Sequence, residues 1–171
     1  MPPPPHLEPS SIDCSRVVAD RDAIHRANPQ RFEMEQLTAI VLLDTQRQLI
    51  VGYKDVGLTE FWVRGHMPSY PLMPGVLMCE AAAQLSAYYS TLAGLNTQDF
   101  LGFGGMENVR FRGVVRPGSR LLLVGKALKL HRRQTIFNVQ GFVGDTMVFH
   151  GDFIGVPMSR PRDMPETAPE S

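Results

Sequence analysis

Three residues of the chain have types and spacing that suit acid–base chemistry: His66, Gly75 and Glu80. A histidine titrates near neutral pH and can take a proton, and a carboxylic acid kept neutral by burial can return one. A free backbone N–H at a helix start stabilises a carbonyl oxygen that gains negative charge. Together they form a kit for proton abstraction next to a carbonyl, the chemistry of elimination or enolisation. Each member depends on being held in place, so the surrounding elements decide the matter.

The run GVLMCEAAAQLSAYYSTL, Gly75 to Leu92, has no proline and is rich in Ala, Leu and Met, with Pro74 before it and Gly94 beyond it. It predicts a helix. Apolar residues surround nearly its whole circumference, so burial on most sides is expected. Its long polar residues are Glu80 and Gln84, which at this spacing share one face. A buried carboxylate is costly unless it is paired or neutral. Glu80 is therefore paired, protonated, or turned into a cavity or subunit interface; a glutamate satisfied by a neighbour, with no further role, competes with a functional one. Before the helix, Pro68, Pro71 and Pro74 recur every third residue and predict a stiff extended strap from His66 to the helix start. His6, His25, His131 and His150 read as ordinary core or surface histidines.

The 171 residues suffice for one domain with a real core, and 17 Lys+Arg against 17 Asp+Glu argue against a bulk nucleic-acid binder. Two cysteines, Cys14 and Cys79, are too few for a disulfide framework, and no Cys/His spacing suggests zinc, so neither metal nor cofactor is expected. The opening MPPPPHLEPS lacks signal-peptide character and no apolar run is long enough for a bilayer, which reads as a cytoplasmic chain with no membrane partner. Five of the 14 prolines fall in the first ten residues and four in the last fifteen. Loose proline-rich tails over 1–11 and 159–171 are expected to flank a single domain at 12–158.

Within that domain a weak helix is expected at Asp20–Asn28 and a hairpin from Leu37–Asp44 and Gln48–Val56. Strand-like runs follow at Phe100–Phe103, Asn108–Val115, Leu121–Leu130, Thr135–Val143 and Met147–Val156, with Gly104-Gly105 read as punctuation between the first two. Strands and helices do not alternate. The expected fold is α+β, a curved antiparallel sheet wrapped around one long central helix.

The segment GHMPSYPLMPGVLMCEAAAQ, with Gly65, His66, Pro68, Pro71, Pro74, Gly75, Val76, Leu77, Glu80, Ala81, Ala83 and Gln84 at fixed spacing, resembles the signature of the FabZ-type (3R)-3-hydroxyacyl-acyl carrier protein dehydratases of hotdog fold. Arg110-Phe111-Arg112 followed by Pro117-Gly118 resembles the same family's second motif. The resemblance spans about residues 30 to 156. It implies a homodimer, often assembled into a trimer of dimers, with His66 of one chain facing Glu80 of the other. It implies reversible loss of water from a 3-hydroxyacyl thioester: His66 takes the C2 proton, Glu80 protonates the leaving hydroxyl, Gly75 N–H holds the thioester carbonyl beside Val76, and Gln84 orients Glu80. Departures are Pro29-Gln30-Arg31-Phe32-Glu33-Met34 where the family carries Pro-His-Arg-Tyr-Pro-Phe, Thr59 for the usual Asn, and Met67 for the usual Phe.

Eight basic residues and no acid lie between Arg110 and Arg133. Such a field suits an acidic acyl carrier protein and its 4'-phosphopantetheine arm, with Arg110, Arg112, Arg132 and Arg133 as the docking residues. A solvated sheet face is the plainer explanation. Two other activities fit the same fold: a hotdog thioesterase, against which His66 counts, and a non-catalytic acyl-thioester-binding module, which needs neither His66 nor Glu80.

Overall fold

The computed structural model describes residues 1–163. Asp20 begins the first helix, its carboxylate accepting from the Ala23 N–H at 2.9 Å, and α1 runs over Arg21–Ala27. A hairpin follows, β1 (Ala39–Asp44) and β2 (Leu49–Asp55), then α2 (Gly75–Leu92). The chain closes with β3 (Phe100–Phe111), β4 (Arg120–His131), β5 (Gln134–Val143) and β6 (Thr146–Met158). All six strands join one antiparallel sheet in the order β1-β2-β4-β5-β6-β3, leaving β1 and β3 as its edges.

The sheet packs along α2, which touches every strand from β2 to β6. Leu85 is fully buried, and its two terminal methyls lie where side chains at Gly52 and Gly125 would stand, 2.9 and 3.3 Å from an added Cβ. Glycine at those points lets the helix approach the backbone of β2 and β4. Phe137, Phe149 and Phe153 complete the core, with Tyr89 meeting Phe137 edge to face at 5.3 Å. Burying each such ring contributes about 1.5–3 kcal/mol.

Two expectations change. Gly104-Gly105 is no break: β3 runs through it, with the register shifting between Phe103 and Gly105. The reason is packing, since a Cβ at Gly104 would stand 2.2 Å from Val156 Cγ2 on β6. Residues 1–11, expected as a loose tail, lie on the sheet face turned away from α2. His6 N–H donates to Gln140 Oε1 at 2.8 Å, and Gln140 Nε2 donates to the Pro4 carbonyl at 2.9 Å. Leu7, Ile12 and Cys14 then pack on a second apolar cluster that includes Val41, Val51, Tyr53, Leu122, Val124 and Phe142. Of the tail expected at 159–171, Arg160 N–H donates to Asp99 at 2.6 Å, and residues 164–171 lie outside the described residues.

Deleting residues 1–14 should therefore lower stability by about 2 kcal/mol and the melting temperature by about 5 °C, without loss of helix signal in circular dichroism. Calorimetry on the shortened chain checks this; an unchanged melting temperature would show that the segment covers nothing of consequence.

Candidate active site

Glu80 sits on the one face of α2 that the chain's own sheet leaves partly open. Val76 is exposed, and Glu80 and Ala83 are half-buried, whereas Leu77–Cys79 and Gln84–Ser90 are buried. Positions 76, 80 and 83 lie along one stripe of a helix. That stripe borders a cavity walled by Ala83, Ser86 and Ala87 of α2, by Leu101, Gly102 and Phe103 of β3, and by Phe153, Ile154 and Gly155 of β6, with Glu80 and Gln30 supplying its polar wall.

The Glu80 carboxyl is held by amides. Gln84 Nε2 donates to its Oε1 at 2.8 Å and to the Met34 carbonyl at 2.6 Å, while Gln84 Oε1 accepts from the Gln36 N–H at 2.9 Å. Asn28 Nδ2 donates to the Gln84 carbonyl at 2.9 Å. Gln84 thus ties α2 to the segment between α1 and β1 and gives the Glu80 side chain one orientation. Cys79, next in sequence, takes no part: burial pushes its thiol up to about 11, so it stays protonated at neutral pH.

His66 stands on the loop before α2. Its Nδ1 lies 2.8 Å from the Leu72 carbonyl oxygen, which can only accept, so in the neutral imidazole Nδ1 carries the proton and Nε2 keeps a free lone pair. The strap differs from the extended form expected. His66 N–H donates to Trp62 O at 2.8 Å and Leu72 N–H to His66 O at 2.9 Å. Met67 and Tyr70 exchange backbone hydrogen bonds of 3.2 and 3.0 Å, with Ser69 at φ 63°. Residues 66–70 are therefore a closed loop, and only 71–74 run extended into the helix. Met73 N–H, bonded to Val115 O at 2.7 Å, pins that stretch.

At the helix start Gly75 and Val76 belong to the first turn, whose N–H groups have no preceding carbonyl within the helix. Glycine is required at 75 because a Cβ there would stand 2.7 Å from the Phe111 ring. His66 lies outside the lining of the Glu80 cavity, and no hydrogen bond or ion pair joins the two among the described residues.

Residues 28–152 match the FabA-like domain family. Relatives along most of the chain carry the name 3-hydroxyacyl-[acyl-carrier-protein] dehydratase FabZ. The Moorella thermoacetica protein is 35% identical over 139 residues, 79% of this chain and 94% of its own. That of Syntrophobacter fumaroxidans is 38% identical over 130 residues, 74% of this chain and 85% of its own. The chain belongs to the FabZ-type dehydratase family. Among solved structures, the dehydratase heterocomplex ApeI:P from Xenorhabdus doucetiae superposes with a TM-score of 0.67 at 15% identity, covering 79% of this chain and 90% of that one. The Escherichia coli PaaI protein gives 0.54 at 14% identity, over 68% and 80%. Both share the hotdog layout of sheet and central helix.

In this FabZ-type chain the basic block does not form one patch. Arg110 pairs with His150 across β3 and β6, whereas Arg132 and Arg133 sit in the β4–β5 turn beyond the Thr135–Gly155 pair. Five residues of β6 separate the two levels, roughly 17 Å. Strand β4, which runs from Arg120 to His131, carries the basic run from one end of the sheet to the other. Arg120 is taken up by Asp55 at 2.6 Å and stacks over Tyr53, and Arg116 donates to the Tyr70 hydroxyl. Arg112 contacts His150, whose basicity is lowered by burial and by Arg112 and Arg110 nearby. Sequence reasoning missed Gln30, Asn28 and Phe111 as parts of the site: the first two contact α2 across 50 and 56 positions, and only the fold brings them there.

Replacing Gln84 with Leu keeps the volume but strands the Gln36 N–H and the Glu80 carboxyl. We expect a loss of about 2–3 kcal/mol in urea unfolding. A loss below about 0.5 kcal/mol would mean that Gln84 is not the tie between α2 and the preceding segment.

Proposed function

We propose that the chain catalyses the reversible loss of water from (3R)-3-hydroxyacyl thioesters of acyl carrier protein, giving trans-2-enoyl thioesters in fatty acid or related lipid synthesis. The observation that carries this reading is the division of roles between the two side chains. The Leu72 carbonyl holds His66 in the tautomer whose Nε2 is a base. Amide donors hold Glu80 on the wall of a cavity between α2 and strands β3 and β6. Nε2 removes the C2 proton, the electron pair forms the C2–C3 double bond, and the C3 hydroxyl leaves as water with a proton from Glu80. The thioester oxygen, negative in the transition state, accepts from the Gly75 N–H, with Val76 alongside.

The two groups meet across a homodimer. The support is that the Val76–Glu80–Ala83 stripe is left partly open by the chain's own sheet, beside the β3 edge, where Phe103, Met106 and Phe111 are exposed. On this reading two such edges pair, bury both stripes and bring His66 of one protomer to Glu80 of its partner. The relatives' printed name supplies the carrier, and the expected place of work is the cytoplasm. No helix among the described residues is long and apolar enough to cross a membrane. Docking is best assigned to Arg110 and Arg112, the sequence neighbours of Phe111, whose ring meets the helix start at Gly75, with Arg132 and Arg133 as the outlying pair.

Incubation with 3-hydroxyacyl and trans-2-enoyl carrier thioesters should interconvert them, and His66→Ala and Glu80→Gln should each cost about 10²–10⁴-fold with the fold retained. Free carrier and fatty acid as sole products would instead establish a thioesterase. In the same assay Arg110→Glu with Arg112→Glu should raise KM for carrier-bound substrate more than for a small thioester. An equal rise for both would remove these arginines from docking.

A further inference from the structure

Glu80 is approached by a second amide. Gln30 Nε2 lies 3.4 Å from Glu80 Oε1, the oxygen that already accepts from Gln84. The backbone around Gln30 is tacked down by its neighbour: Arg31 donates to the Asn28 carbonyl at 2.8 Å, to the Gln30 carbonyl at 2.6 Å and to the His25 carbonyl at 3.0 Å. Arg31 thus fixes the backbone from which the Gln30 side chain springs. With two amide donors on Oε1, the other carboxyl oxygen, Oε2, is the one left to carry a proton. Gln30 Oε1 is itself buried with no hydrogen-bond partner among the described residues, on a side chain that walls the same cavity as Glu80. A buried amide oxygen without a donor is costly and calls for a ligand that brings one.

We propose that Gln30 is the residue that recognises the substrate's 3-hydroxyl and presents it to Glu80. This rests on the dehydratase reading above. The hydroxyl donates its hydrogen to Gln30 Oε1 and turns a lone pair toward the proton on Glu80 Oε2. When the C3–O bond breaks, the oxygen keeps its own hydrogen, takes the Glu80 proton and departs as water; the electrons of the C2–H bond, whose proton goes to His66, form the double bond. In the reverse direction water donates one hydrogen to Gln30 Oε1 and gives the other to Glu80 Oε2 as its oxygen attacks C3. To meet the hydroxyl, Oε1 must turn toward the cavity about the last bond of the side chain, a movement that the long 3.4 Å contact to Glu80 opposes only weakly. The consequence is selectivity for a 3-hydroxyacyl over a saturated acyl group, because only the former satisfies the orphan oxygen.

The test compares binding of a 3-hydroxyacyl and a saturated acyl thioester of equal length, together with turnover in both directions, in the full chain and in Gln30→Met. The substitution preserves shape and removes both polar atoms. We expect the preference for the 3-hydroxyacyl ligand to fall about 10-fold, the saturated ligand to bind as before, and turnover to drop at least about 10-fold in each direction. If Gln30→Met does not fold, Gln30→Asn, which withdraws the amide by one methylene, should show the same selective loss. Equal weakening of both ligands, or unchanged turnover, overturns the proposal while leaving the dehydratase reading intact. A wild-type chain that interconverts nothing overturns both.

Discussion

The structure turns on one polar contact in an apolar place, the Gln84 amide against the Glu80 carboxyl on a helix that is buried nearly all round. A carboxyl inside a protein must be given partners or a neutral state. Here the partner is a side chain one turn further along α2, which also holds the backbone at Met34 and Gln36. The segment between α1 and β1 therefore takes its path from the helix, and that path carries Gln30 to the same carboxyl. One satisfied amide thus fixes the orientation of Glu80 and closes one wall of the cavity beside it.

His66 is placed by an independent device. Its loop is closed by backbone hydrogen bonds at both ends and tied through Met73 to Val115 in the connection between β3 and β4, so the imidazole meets the Leu72 carbonyl in a fixed tautomer. A base whose free nitrogen is set by the backbone needs no carboxylate to orient it. Within one chain this base and the Glu80 carboxyl have separate partners and no mutual contact among the described residues. On the proposed reading a second chain unites them, which explains why the partly open Val76–Glu80–Ala83 stripe of α2 and an edge strand with exposed aromatic rings lie side by side.

Much of this is visible in the residues. Helix α2 begins and ends where Pro74 and Gly94 allow, and the hairpin follows the polar turn at Thr45-Gln46-Arg47, because local chemistry decides such boundaries. What escapes is whatever depends on a distant neighbour. Gly104-Gly105 reads as a turn until Val156 is seen to occupy the space of a side chain. The proline-rich start reads as loose until Gln140 and an outer apolar cluster are found to receive it. The basic run reads as one patch until the length of β4 divides it between opposite ends of the sheet. Gln30 shows in the residues only as a departure from the family's segment, since its contact lies on a helix fifty positions away.

The central claim is that catalysis needs His66 from one protomer and Glu80 from the other, and subunit complementation tests it most directly. His66→Ala and Glu80→Gln chains, each inactive alone, are unfolded, mixed in equal amounts and refolded together. Random pairing makes about half of the dimers mixed, each with one intact site of two, so the mixture should regain about a quarter of wild-type activity. Mixed dimers that form, as native mass spectrometry would show, yet remain inactive would contradict the account.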